Sequence, residues 1–171
     1  MAHSATKVPT RLLLNPVHLV AFGFGSGLAP HAPGTFGTLA AVPFIVLAFQ
    51  AGPVQYALIC MGVIAVAIWT SARAASALGV HDHGAIVIDE FAGLFVSMLA
   101  VPMSLTTMVL AVICFRILDI VKPSLIGVLD RKLKGGTGIV MDDVAAGIVT
   151  ALIMHGILWL FPHLPSLVTI L

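Results

Sequence analysis

"GIVMDDVAAGIVTALIMHGILWLFP", residues 138–162, is an apolar run long enough to cross a bilayer, and it carries two adjacent acids, Asp142 and Asp143, near its start. A spanning helix needs about 20 such residues. An ionised carboxylate in hydrocarbon is costly enough that it is rarely present without a partner or a task. This one stretch therefore sets two questions, where the chain resides and what keeps its acids there.

Composition answers the first. Of the 171 residues, 60% are hydrophobic and 9% are charged, with a mean hydropathy of +1.13. Soluble domains carry about 25% charged residues, so the chain is expected to be an integral membrane protein. No linker, repeat or low-complexity tract divides it, so residues 1–171 are read as one domain, with 1–14 an N-terminal segment that the charge pattern and the resemblance described below imply to be cytoplasmic and variable. Cys60 and Cys114 fall inside apolar stretches and give no disulfide framework. Lys7 and Arg11 precede an apolar run as in a signal peptide, but Asn15-Pro16 breaks that run.

Five apolar stretches stand out at 38–51, 54–71, 86–101, 105–120 and 139–161. They predict an all-α, polytopic helix bundle, with the short third and fourth stretches either crossing or forming a re-entrant pair. If each stretch crosses, the uncharged turns at 50–55 and 101–107 fall on one side. The N-terminus and the charged loops at 72–85 and 121–138 fall on the other. All eight basic residues (Lys7, Arg11, Arg73, Arg116, Lys122, Arg131, Lys132, Lys134) then lie on or near that second side, which the positive-inside bias makes cytoplasmic.

The acids fall there too. Asp89 and Glu90 open the third stretch, Arg116 and Asp119 end the fourth, and Asp142 and Asp143 open the fifth. An acid at a helix N-terminus gains about 0.3–1 kcal/mol from the macrodipole. That does not account for Asp119 at a C-terminal end, or for two doublets of repelling neighbours. Clustered carboxylates suit a hard divalent cation such as Mg²⁺, which takes oxygen ligands and is commonly completed by substrate phosphate. Adjacent helical residues diverge by about 100°, so one acid of each doublet is expected to face the site and its neighbour to serve as a supporting or catalytic group.

The flanking loops are compatible with such a site. "GVHDHG" (79–84) supplies His81 and His83, read either as a polar turn or as metal ligands or proton carriers. "GGTG" (135–138), ahead of the last helix and after the basic run Arg131, Lys132 and Lys134, has the backbone freedom to cradle phosphate oxygens. The glycine- and proline-rich stretch 23–38 reads as irregular chain lining a cavity; Thr35 and Thr38 offer hydroxyls or cap the next helix. His155 and His163 read as structural, and Trp159 as an interfacial anchor.

"GFGSGLAPHAPGTFGTLAAVPF" (23–44), "GVHDHGAIVIDEFAG" (79–93), "FRILDIVKP" (115–123) and "GGTGIVMDDVAAG" (135–147), in this order, resemble bacterial phosphatidylglycerophosphatase A from about Asn15 to Gly156. The resemblance implies a Mg²⁺-dependent phosphatase of the bacterial cytoplasmic membrane, active on phosphatidylglycerophosphate at the cytoplasmic face. It implies Asp89, Glu90, Asp119, Asp142 and Asp143 as metal ligands, with Asp89, Glu90, Asp143, His81 and His83 as the catalytic pool. Arg116, Lys122, Arg131 and Thr35 would contact substrate phosphate. The expected partners are the phospholipid and the bilayer, with no nucleic acid and with room for a homo-oligomer. The competing class is a cation or proton transporter using the same carboxylates.

Overall fold

The computed structural model describes residues 8–80, 83–121 and 136–166, and within them every regular element is helical. Two short helices, α1 (Thr10–Leu13) and α2 (Pro16–Ala21), and a 3-10 segment (Gly23–Leu28) lead into α3 (Pro33–Phe49) and α4 (Pro53–Leu78). Then come α5 (Ile88–Ser97), α6 (Leu105–Val121), α7 (Gly136–Leu160) and a last 3-10 turn, Leu164–Ser166. Proline starts α2, α3 and α4, where its missing N–H has no intrahelical acceptor to lose. Gly79, at φ 70°, ends α4 in the left-handed conformation that glycine tolerates.

Each apolar stretch contains a helix, but the expectation of five crossings is corrected. By length and composition two described helices, α4 and α7, are able to span a membrane. Their 26 and 25 residues reach roughly 37–39 Å, against a hydrocarbon core of about 30 Å. The third stretch yields only the 10 residues of α5, about 15 Å of helix. Hydropathy ran together segments that the backbone separates. Residues 85–87 are non-helical and tied to α2 by the Val87 N–H to the Ala21 carbonyl at 3.0 Å. At the far end Ala100 adopts a positive φ of 56° two residues before Pro102.

Helix α5 is enclosed by its neighbours, packing most extensively on α7 and also on α4, α3 and α6. Every one of its residues except Asp89 is buried. Two glycines permit this. A Cβ at Gly147 would overlap the Gly93 carbonyl, and a Cβ at Gly93 would overlap the Phe115 ring and the Asp143 carbonyl. Close approach through small residues is the usual route to helix packing where lipid removes the hydrophobic drive. The Tyr56 hydroxyl donates to the Phe95 carbonyl at 2.8 Å, fastening α4 to α5. Ser97, Thr70 and Thr150 return their hydroxyls to carbonyls one turn earlier at 2.8–2.9 Å, as an interior without water requires. The outer faces are apolar: Leu152 on α7 is 67% exposed and Trp159 83%, side chains suited to contact with lipid.

Helix α7 begins at Gly136, so Asp142 and Asp143 lie in its second turn and not its first. Gly136 is pressed against the Ile68 carbonyl and Ala72 of α4. The Gly136–Gly138 part of the glycine motif is therefore a docking point within a helix, where an open phosphate cradle was expected; Gly135 lies outside the described residues.

A Gly147→Ala substitution is expected to destabilise the protein by about 1–3 kcal/mol through overpacking. Gly156→Ala, where an added Cβ meets nothing, is expected to be neutral or to gain up to about 1 kcal/mol in helix propensity. Thermal unfolding of both variants in one detergent checks the contrast.

Candidate functional site

Three helix ends meet at one place. The first turn of α5 brings Asp89 and Glu90, the second turn of α7 brings Asp143, and the last turns of α6 bring Arg116 and Asp119. One carboxylate oxygen each from Asp89, Glu90 and Asp143 lies within 4.8 Å of the others. Glu90 and Asp143 are buried, while Asp89 is partly exposed. Local chemistry orients both doublets alike: Asp89 Oδ1 accepts the Glu90 N–H and Asp142 Oδ1 accepts the Asp143 N–H, each at 3.1 Å.

Arg116 is the cation set among them. Its Nη1 donates to Asp119 Oδ2 at 2.6 Å and lies 3.6 Å from Glu90 Oε1. Both ion pairs are largely shielded, with side-chain exposures of 12–15%. One arginine thus links acids drawn from two helices, Glu90 on α5 and Asp119 on α6. Glu90 Oε2 and Arg116 Nε are buried without a hydrogen-bond partner among the described residues.

The sequence-predicted residues divide on this geometry. Asp89, Glu90 and Asp143 converge, so both members of the first doublet face the centre where one was expected. Asp119 is joined to them through Arg116, which also lies beside Glu90. Asp142 is buried, but no oxygen of it belongs to the converging set. His83 is half-buried, its Nδ1 accepts the Ala85 N–H at 3.1 Å, and it is not part of that set. Thr35 lies in the first turn of α3. His81, Lys122 and Arg131 lie outside the described residues.

Sequence reasoning missed Gly34. Any Cβ at this position would run into the Glu90 carboxylate and crowd the Arg116 guanidinium, so the start of α3 forms a wall of the site. The only cue was a glycine directly after Pro33 at a helix start. Thr38, read as a possible cap, returns its hydroxyl to the Gly34 carbonyl at 2.9 Å instead.

The donor set fits a hard cation. It is all oxygen, carries more negative charge than Arg116 offsets, and has an unpartnered carboxylate oxygen on Glu90. Arg116→Met is expected to destabilise the fold by about 3–5 kcal/mol, because it strands buried carboxylates. Adding Glu90→Gln should recover part of that loss. Thermal unfolding of the single and double variants reads both effects.

The family model for phosphatidylglycerophosphatase A matches residues 19–158. Phosphatidylglycerophosphatase A of Escherichia coli (strain K12) is 44% identical over 150 residues, covering 87% of this chain and 85% of that one. The protein of the same name from Haemophilus influenzae is 41% identical over 147 residues, 85% of this chain and 90% of that one. A Bacteroides thetaiotaomicron protein whose name refers to phosphatidylinositol-3-phosphatase is 36% identical over 157 residues, 82% of this chain and 92% of that one. No solved structure matches the chain. With a family model covering most of its length and relatives above 40% identity, the chain belongs to the phosphatidylglycerophosphatase A family.

Proposed function

We propose that this protein hydrolyses the terminal phosphomonoester of phosphatidylglycerophosphate at the cytoplasmic face of a bacterial inner membrane, as a single multi-pass domain using Mg²⁺. The observation that carries this reading is the convergence of Asp89, Glu90 and Asp143 beside Arg116, in a chain whose relatives are named for that activity. Glu90 and Asp143, the buried members, would hold the ion together with Asp89, and Asp119 and Asp142 would support them. When bound, such an ion neutralises phosphoryl charge and lowers the pKa of a bound water.

The chain's own residues do the rest. Asp89, the accessible member of the set, meets the incoming phosphomonoester and takes the proton of the attacking water. Water adds across the phosphorus–oxygen ester bond, and the glycerol oxygen leaves with a proton, giving phosphatidylglycerol and inorganic phosphate. Arg116 keeps Glu90 and Asp119 aligned and offers its unpartnered Nε toward phosphate oxygens. Thr35 supplies a hydroxyl from the adjoining helix start. Lys122, Arg131 and His81 lie outside the described residues; the first two are proposed as further phosphate contacts, and His81 or His83 as the group that returns the proton to the leaving group.

Transport finds no support in the relatives' names or in the placement of charge. The acids gather at one end of α5, α6 and α7, and Ser97, Thr70 and Thr150 are closed onto their own helices.

Purified protein in mixed micelles is expected to release phosphate from phosphatidylglycerophosphate with Mg²⁺ and to stop with chelator. Phosphatidylinositol 3-phosphate, included because one relative's name points to it, should be a much poorer substrate. Asp89→Asn should cost about 10²–10⁴-fold in turnover. Folded protein that releases phosphate from neither lipid, or an Asp89→Asn variant with near-normal rates, would contradict the assignment.

A further inference from the structure

Next to the acids lies a cavity of about 350 Å³ with an almost wholly apolar lining. Its walls include Phe24, Phe44, Phe91, Phe95, Gly62 and Val66. Phe24 stacks on Phe44 with ring centroids 5.3 Å apart, and Phe91 leans on both at 6.4 and 5.6 Å. Phe24 holds this position at a φ of 56°, a conformation costly for a bulky residue unless its surroundings impose it.

The cavity shares a helix with the acidic centre. Ile88, Phe91 and Phe95 line it from α5, at the i, i+3, i+7 spacing of one helical face. Asp89 and Glu90 sit in the same first turn, about 100° and 200° around the helix from Ile88. The two faces are separated by little more than a helix diameter, about 10–12 Å. Two glycerol units joined by a phosphodiester have a comparable reach.

The remaining wall is α4, one of the two helices long enough to cross a membrane. The cavity therefore meets an apolar stretch of that helix, Ile59 to Val66, away from either end. It lies within the 300–1,000 Å³ typical of pockets for small ligands. Gly62 leaves it open, because a Cβ there meets no atom within 4 Å.

We propose that this phenylalanine-walled cavity is an acyl-chain subsite, which holds one tail of the lipid substrate while the headgroup reaches round α5 to the carboxylates. This rests on the reading of the protein as a lipid phosphatase. The subsite selects for long-chain lipid, because only a long tail fills the slot and makes dispersion contacts with its phenylalanine walls.

The test fills the cavity from Gly62. Wild-type protein, Gly62→Phe and Gly156→Phe are assayed on dioleoyl and dihexanoyl phosphatidylglycerophosphate in the same detergent. Gly156 is equally open but does not line the cavity. The ratio of kcat/KM, long chain over short, is expected to fall about tenfold in Gly62→Phe and to stay within about twofold of wild type in Gly156→Phe. If Gly62→Phe does not fold, Gly62→Leu is read in its place. An unchanged ratio in a folded Gly62 variant, or an equal fall in Gly156→Phe, overturns the subsite while leaving the phosphatase intact. Wild-type protein inactive on both lipids overturns the phosphatase reading and the subsite together.

Discussion

The structure depends on placing several carboxylates inside an apolar bundle without letting them repel one another apart. In such surroundings a charge interacts more strongly than in water, and a lone charge is correspondingly more expensive. Arg116 answers part of the demand by lying between Glu90 and Asp119. Those two ion pairs do not include Asp89 or Asp143, the other two acids of the converging set. In the proposed reading, the carboxylates that Arg116 leaves unbalanced are held together by a divalent cation and, through it, meet the anionic substrate. In this account stability and function share one device.

Bringing three helix ends to one point needs backbones closer than ordinary side chains allow. Gly93 and Gly147 let α5 and α7 meet backbone to backbone, and Gly34 lets α3 reach the Glu90–Arg116 pair. The enclosed half-length helix follows from these contacts. With every residue but one buried, α5 gains from its neighbours what a helix of ten residues cannot supply alone. It can then offer acids on one side and phenylalanines on another.

Much of this was legible in the sequence. Hydropathy located the five longer helices among the described residues, because length and apolarity are local properties. The three acids that converge, Asp89, Glu90 and Asp143, were among those the sequence singled out, because charge in apolar chain is rare enough to be informative. What local pattern could not supply was depth and contact. The break between Val87 and the preceding stretch depends on a hydrogen bond to Ala21, sixty-six residues away. The early start of α7 depends on Gly136 meeting α4. The unequal roles of Asp142 and Asp143 come from how α7 is rotated against α5. Gly34 was invisible as a site residue because its contribution is an absent side chain.

The central claim is that Asp89, Glu90 and Asp143 jointly hold one divalent cation at the cytoplasmic ends of these helices. Electron paramagnetic resonance of Mn²⁺ added to the full-length protein in detergent micelles tests it without reference to turnover. The account predicts a saturable bound signal in wild-type protein, displaced by excess Mg²⁺ and lost in folded Asp143→Asn. Equal binding by wild type and Asp143→Asn, or no saturable binding at all, would contradict it.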